Sequence, residues 1–256
     1  MNIDMPNLTQ RKSVWIALFL FLMLIIVSRR PDIIFNAQPW GEDGTIWLTQ
    51  IYNNGFINSI FHPQNGYFQT ISRLAYGIGL LFGVAQAPVV ANLLAISIRC
   101  FFVMFLLSTR MSAIPMKYRV IAAIYFLIMP NIEEGYVNIT NAHWYLALYL
   151  LAIILADKAD TLYWKVHDYG VLIISGLSGP FIIFLVLPLI IRKLSVYKNP
   201  ITAIKNINAF EAVAAVLSLI QLLAVLITSN STRAVSYTHL TLPRSTLCRS
   251  RWSPYH

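Results

Sequence analysis

"SVWIALFLFLMLIIVS", residues 13–28, carries no charge, and basic residues flank it on both sides (Arg11 and Lys12, Arg29 and Arg30). No small-residue cleavage site follows the run, so it reads as a retained span or signal anchor and not as a removed signal peptide. Comparable apolar runs recur as far as residue 228. With 57% hydrophobic and 11% charged residues, and a mean hydropathy of +0.64, the chain is excluded from the soluble globular class. The fold class expected is all-α, a polytopic transmembrane helical bundle.

Two stretches near the end break the pattern. "VSYTHLTLP" (235–243) and "LCRSRWSPYH" (247–256) have no apolar period. The first resembles a translated transposon-end sequencing adapter, and the second resembles the outer primer of the same kind of library. The expected organisation is therefore a transmembrane domain over 1–234, an N-terminal fragment of a longer protein, followed by a non-native tail over 235–256. Setting the tail aside leaves sixteen of the nineteen Lys and Arg residues against ten acids. It also leaves Cys100 alone, so no disulfide is expected.

The basic residues orient the spans. With Arg11 and Lys12 inside, the first span exits and residues 29–70 lie outside. The apolar stretch 71–108 breaks at "GVAQAP" (83–88). Reading 71–86 as a helix that dips in or lies at the interface, and 88–108 as the second span, keeps Arg110, Lys117 and Arg119 inside. A third span over about 118–130 leads out to "NIEEGYVNITN" (131–141), and a fourth over 142–156 returns. Residues 169–191 read as two short helices turning at "SGLSGP" (175–180), and a last span covers about 209–228. Eleven basic residues then fall inside and four outside, with Arg99 within the membrane. Arg29 and Arg30 sit on the side the rule disfavours. An arginine in mid-helix costs on the order of 3 kcal/mol to insert, so Arg99 is expected to have a partner or to face a wet cavity.

The outward loops hold the chemistry. In "QPWGEDGTIWLTQ" (38–50) the adjacent acids Glu42 and Asp43 precede Trp47, Leu48, Ile51 and Tyr52, whose spacing predicts one apolar face of a helix lying on the membrane surface. At a helix N-terminus the dipole favours an ionised carboxylate, which can take a proton from a hydroxyl. Simple helix capping by Asp43 fits the same residues. Asp43 is the better catalytic candidate because its shorter side chain is held by the turn and Gly44 leaves room beside it. In "FHPQNGYFQTISR" (61–73) the candidates for substrate binding are His62, Tyr67 and Arg73. A guanidinium at Arg73 suits a lipid phosphate, and a snorkelling arginine is the competing reading. The second loop adds Glu133, Asn141 and His143, while "NIT" (138–140) matches a glycosylation triplet of low specificity. No CxxC, HExxH, Gly-rich phosphate loop or Ser-centred nucleophile elbow is present. No metal ligand set and no certain cofactor are expected, with a divalent cation left open. Membrane orientation explains the basic residues, so nucleic acid is not an expected partner.

This layout resembles the GT-C superfamily. It has an acidic pair just after the first span, a surface helix, a dipping helix, a second outward loop and a Gly/Pro-tipped helix pair. These are multispanning glycosyltransferases that use polyprenyl-phosphate sugars, among them protein O-mannosyltransferases and lipid A aminoarabinose transferases. The resemblance covers about residues 13–228 and rests on "EDG" (42–44), with "RLAYGIGLLFG" (73–83) and "SGLSGPFIIFLVLP" (175–188) matching in shape. It implies a multi-pass protein of the cytoplasmic membrane that moves a sugar from a lipid-phosphate donor to an acceptor hydroxyl on the outer face. Asp43 would activate the hydroxyl, assisted by Glu42, and Arg73 and His143 would hold the donor phosphate. The superfamily's usual order is Asp-Glu and here it is Glu-Asp, so either acid can hold the role. The alternatives are a transporter or flippase of lipid-linked sugars, and an O-antigen-type polymerase or ligase.

Overall fold

Helices account for 77% of the structure and no strand occurs among the described residues, as the long uncharged runs require. The chain is seen as a computed structural model that describes residues 12–64, 66–129 and 137–229. Glu133, Glu134 and the segment 235–256 lie outside the described residues. In order, the helices are α1 (Lys12–Arg29), α2 (Asp32–Phe35), α3 (Thr49–Asn54), α4 (Phe56–Ile60), α5 (Thr70–Leu80), α6 (Ala87–Leu107), α7 (Met116–Ile128), α8 (Ala142–Leu155), α9 (Leu162–Gly176), α10 (Phe181–Tyr197), α11 (Pro200–Lys205) and α12 (Ala209–Ser229). A π-helical turn, Asp43–Leu48, leads directly into α3, and a 3₁₀ turn, Thr109–Met111, follows α6.

Among the described residues three helices are long and apolar enough to cross a membrane: α1, α6 and the Ala209–Thr228 part of α12; α8 is apolar but shorter. The chain is therefore membrane-associated. The apolar stretch 71–108 divides into α5 and α6 at the break the sequence marks. The eleven residues of α5 reach only about 16 Å, well short of a bilayer core. Residues 169–191 fall in two helices, α9 and α10, joined across Leu177–Pro180.

Packing centres on α6, which contacts α1, α5, α7 and α8. Ala87, Ala91 and Ala95 are fully buried at four-residue intervals along it, a stripe of small side chains that lets backbones approach. A Cβ on Gly79 of α5 would lie 2.9 Å from the Ala87 backbone, so this approach requires glycine. On the far side α12 packs against α9 and α10. Its buried Gln221 donates to the Gly176 carbonyl (3.0 Å) and accepts from the Phe68 backbone N–H (3.0 Å), which meets the demand that a buried amide find partners.

Arginines satisfy the carbonyls that helix C-termini leave open. Arg29 at the end of α1 donates to Leu127 O (2.6 Å) and Met129 O (2.9 Å) at the end of α7. Arg99, fully buried in α6, donates to Phe126 O (3.0 Å) and lies over the rings of Phe126 and Tyr145. Arg119 donates to Ser108 O (2.5 Å) beyond the end of α6, and Arg192 donates to Ile154 O of α8. Arg110 binds Asp157 O and pairs with Asp168 at 2.8 Å.

These contacts sort the helix ends into two groups. One group contains the start of α9, the ends of α6, α8 and α10, and the pairs Arg110–Asp168 and Lys193–Glu211. The other contains the ends of α1 and α7, the starts of α5 and α8, and the α9–α10 turn. The acidic pair belongs to the second group.

Candidate active site

Asp43 is the first residue of the π-helical turn, and it is 1% exposed. The turn is wound more widely than an α-helix, with i→i+5 spacing, and the Thr49 hydroxyl likewise donates back five residues to Gly44 O (2.7 Å). Turns of this kind concentrate at functional sites. Asp43, Trp47 and Ile51 are the buried positions of the stretch, whereas Tyr52 is 67% exposed. The apolar face expected to rest on lipid is therefore turned into the protein through Trp47 and Ile51. Gly44 does not leave room beside the acid, because Pro39 occupies that space: a Cβ on Gly44 would lie 3.0 Å from Pro39 Cβ.

The Asp43 carboxylate does not cap its own helix. Its Oδ1 accepts from the backbone N–H of Thr140 (3.2 Å) and from the Thr140 hydroxyl (2.5 Å), 97 residues away. The Trp47 indole N–H donates to the same Thr140 oxygen at 2.7 Å. Thr140 thus joins the first loop to the segment that enters α8. Burial pushes the Asp43 carboxyl up from its ordinary 3.8 to about 7, against the downward pull of the Thr140 and Trp40 hydrogen bonds and with a further upward push from Glu42. The helix-dipole expectation of a firmly ionised acid is corrected here: desolvation outweighs the dipole. Glu42 itself is half-buried.

Arg73 is fully buried in α5. Its Nη2 donates to Gln50 Oε1 (2.8 Å), and the guanidinium lies 4.7 Å from the Trp47 ring centroid. Nε and Nη1 have no hydrogen-bond partner among the described residues, and no carboxylate pairs with it there. A cation buried without an anion is costly. One indole thus contacts the cation with its face and, through Thr140, reaches the carboxylate with its N–H.

His143, buried in the first turn of α8, places Nδ1 2.5 Å from Thr140 O and 3.2 Å from Gln69 Nε2. The tautomer assigned from this network has Nδ1–H donating to the carbonyl, which leaves the lone pair on Nε2. The ring stacks on Phe181 at 5.6 Å, and Tyr67 lies 6.2 Å away. Burial and the nearby Glu42 both raise the Tyr67 phenol. Gly179 (φ +107°) closes over His143, and a Cβ there would come within 2.9 Å of His143 Cδ2. Two backbone bonds, Gly179 N–H to Phe68 O (2.8 Å) and Thr70 N–H to Leu177 O (3.0 Å), tie the α9–α10 turn to the segment entering α5.

Of the residues singled out in the sequence, the structure brings together Asp43, Glu42, Tyr67, His143 and, through Trp47, Arg73. Asn141 stands beside them, its backbone N–H donating to Asn138 Oδ1 (2.8 Å). His62 is exposed, and its backbone turns onto Ser59; it stands apart from the cluster. Glu133 lies outside the described residues. Thr140, Gln69, Trp47 and Gln50 complete the site without having been singled out for it. Only the placement of Thr140 three residues before His143 hints at its part. A cavity of about 190 Å³, lined in part by Arg30, Asp32, Trp40, Asn92 and Asn138, adjoins the first loop. No protein-family model matches the chain, and no curated protein or solved structure matches it.

Proposed function

We propose that this chain belongs to an integral-membrane glycosyltransferase of the GT-C kind, and that Asp43 is the base that activates an acceptor hydroxyl. The observation that carries the reading is the state of Asp43: a buried carboxyl poised near pH 7, already accepting a hydroxyl hydrogen bond from Thr140. Such a group can exchange the Thr140 hydroxyl for that of a substrate and take its proton, and a base poised near working pH is the most effective one. Arg73 supports the donor half of the reading, because its unpaired Nε and Nη1 suit a phosphate leaving group. The bond between sugar and lipid phosphate breaks, the acceptor oxygen bonds to the sugar, its proton passes to Asp43, and the lipid phosphate departs. Glu42 assists by its charge.

In this reading the protein is multi-pass in the cytoplasmic membrane, with the helix ends around Asp43 on the outer face. Arg110, Lys117, Arg119, Lys158, Lys165, Arg192 and Lys193 then lie inside, as the positive-inside rule asks. The test uses membranes holding the full-length protein and a panel of polyprenyl-phosphate sugars, with release of polyprenyl phosphate as the readout. One sugar should support release, and Asp43→Asn should abolish it while donor binding persists. Near-normal turnover by Asp43→Asn would make Asp43 structural. A chain that carries a donor across vesicles without releasing phosphate would be a flippase.

A further inference from the structure

A second cavity, of about 1020 Å³, lies between α1, α5, α6, α8 and α9, and none of Asp43, Arg73 or His143 lines it. It is at the upper end of the range typical of small-molecule sites, about 300–1,000 Å³. Its two ends differ in chemistry. Ile71, Ile98, Leu146 and Ile174 form an apolar deep end. The mouth holds Lys12 at the start of α1, Ser108 and Thr109 at the end of α6, and Tyr163 and Trp164 in the first turn of α9. The hydroxyls of Thr109 and Tyr163 have no hydrogen-bond partner among the described residues. We propose that this cavity binds one bilayer phospholipid by a single chain, with its anionic phosphate at the mouth against Lys12.

The mouth is prepared for negative charge. The end of a helix disfavours an anion, but at α6 Arg119 occupies the Leu106 and Ser108 carbonyls and offsets that effect. The start of α9 presents its unsatisfied N–H groups, with only that of Trp164 taken by Thr161. The nearest buried acid, Asp168, is neutralised by Arg110 at 2.8 Å. It also fixes the cavity wall: His167 Nδ1 lies 2.8 Å from Asp168, Tyr149 Oη lies 2.7 Å from His167 Nε2, and the imidazole stacks on Phe105 at 5.4 Å. Both ring nitrogens are thereby engaged, and among the described residues that line the cavity Lys12 is the cation placed to meet the lipid. The apolar depth selects a chain, and Lys12 at the mouth selects an anionic head over a zwitterionic one.

The test is lipid retention by the full-length protein in detergent, read by native mass spectrometry after titration with phosphatidylglycerol, phosphatidylcholine or inorganic phosphate. One phosphatidylglycerol should be retained, phosphatidylcholine more weakly, and free phosphate not at all. Lys12→Gln should weaken phosphatidylglycerol roughly fivefold, to the level of phosphatidylcholine, the effect of one basic residue at an anionic lipid surface. Ile174→Trp, which fills the deep end, should abolish retention of both. If that variant does not fold, a phosphatidylglycerol with a nitroxide on its chain should quench Trp15 and Trp164 in the unaltered protein. Equal retention of the two lipids, retention by a folded Ile174→Trp, or no quenching would each overturn the proposal. None of these outcomes bears on Asp43, so the two proposals fail separately.

Discussion

The state of Asp43 makes a prediction that needs no substrate. Asp43→Asn keeps the size of the side chain and an oxygen to accept from Thr140, and removes only the charge. In the folded protein burial holds the carboxyl at about 7 instead of 3.8. Between these values the folded state keeps a proton that the unfolded chain has released, so stability falls as pH rises through the interval and levels off above it. The difference corresponds to about 4 kcal/mol in all, of which roughly 2–3 kcal/mol is lost between pH 5 and pH 8. For a chain of this size that is about 5–10 °C in Tm. Thermal unfolding of the two proteins in one detergent, at fixed salt, at pH 5 and pH 8 measures it. The unaltered protein should lose stability across the range, and Asp43→Asn should lose less by about that amount. Parallel pH profiles would mean an ordinary, solvated carboxylate, and the argument from burial would be wrong.

Two further outcomes follow from the same geometry under the proposed transferase function. Thr140→Val removes a hydroxyl that holds the Asp43 carboxyl down, so the rise of transferase rate with pH should move one to two pH units upward, the worth of a charge-assisted hydrogen bond; an unmoved profile would remove Thr140 from the mechanism. Gly179→Ala places a Cβ 2.9 Å from His143 at a φ of +107°, which should cost more than about 1 kcal/mol in thermal unfolding and slow transfer by displacing the ring; an unaffected variant would show that the α9–α10 turn does not hold His143.

Helix positions are legible because their signal is local. The break between α5 and α6 and the turn at Leu177–Pro180 are both written in Gly and Pro. The site is legible only in part. Asp43 and Glu42 announce themselves as adjacent acids in a chain with few acids, and Arg73 and His143 as polar residues at the edges of apolar runs. Their connection through Thr140 spans 97 residues, and no periodicity reports a contact of that range. The direction of the Trp47 face escapes the sequence for the same reason. An amphipathic stripe looks alike whether lipid or protein covers it, and only the packing of Thr140 and Arg73 against the indole decides.

Arg29 shows how two physical demands compete at one position. Charge counting from the sequence expects it, with Arg30, on the disfavoured side, since arginines at an end read as outer oppose the positive-inside rule. In the folded chain it also donates to two carbonyls at the end of α7, where a helix leaves its last carbonyls without intrahelical partners. Hydrogen bonds to a charged donor contribute about 1.5–3 kcal/mol each, comparable to the cost of placing a charge in an apolar setting on insertion scales. Arg99, Arg119 and Arg192 serve the ends of α7, α6 and α8 in the same way. Arginine in this fold therefore carries two signals, orientation and C-terminal capping. Arg73 serves neither: it sits in the first turn of its own helix and donates to Gln50, not to an open carbonyl. That difference sets Arg73 apart from the structural arginines and supports the proposal that it binds an anion.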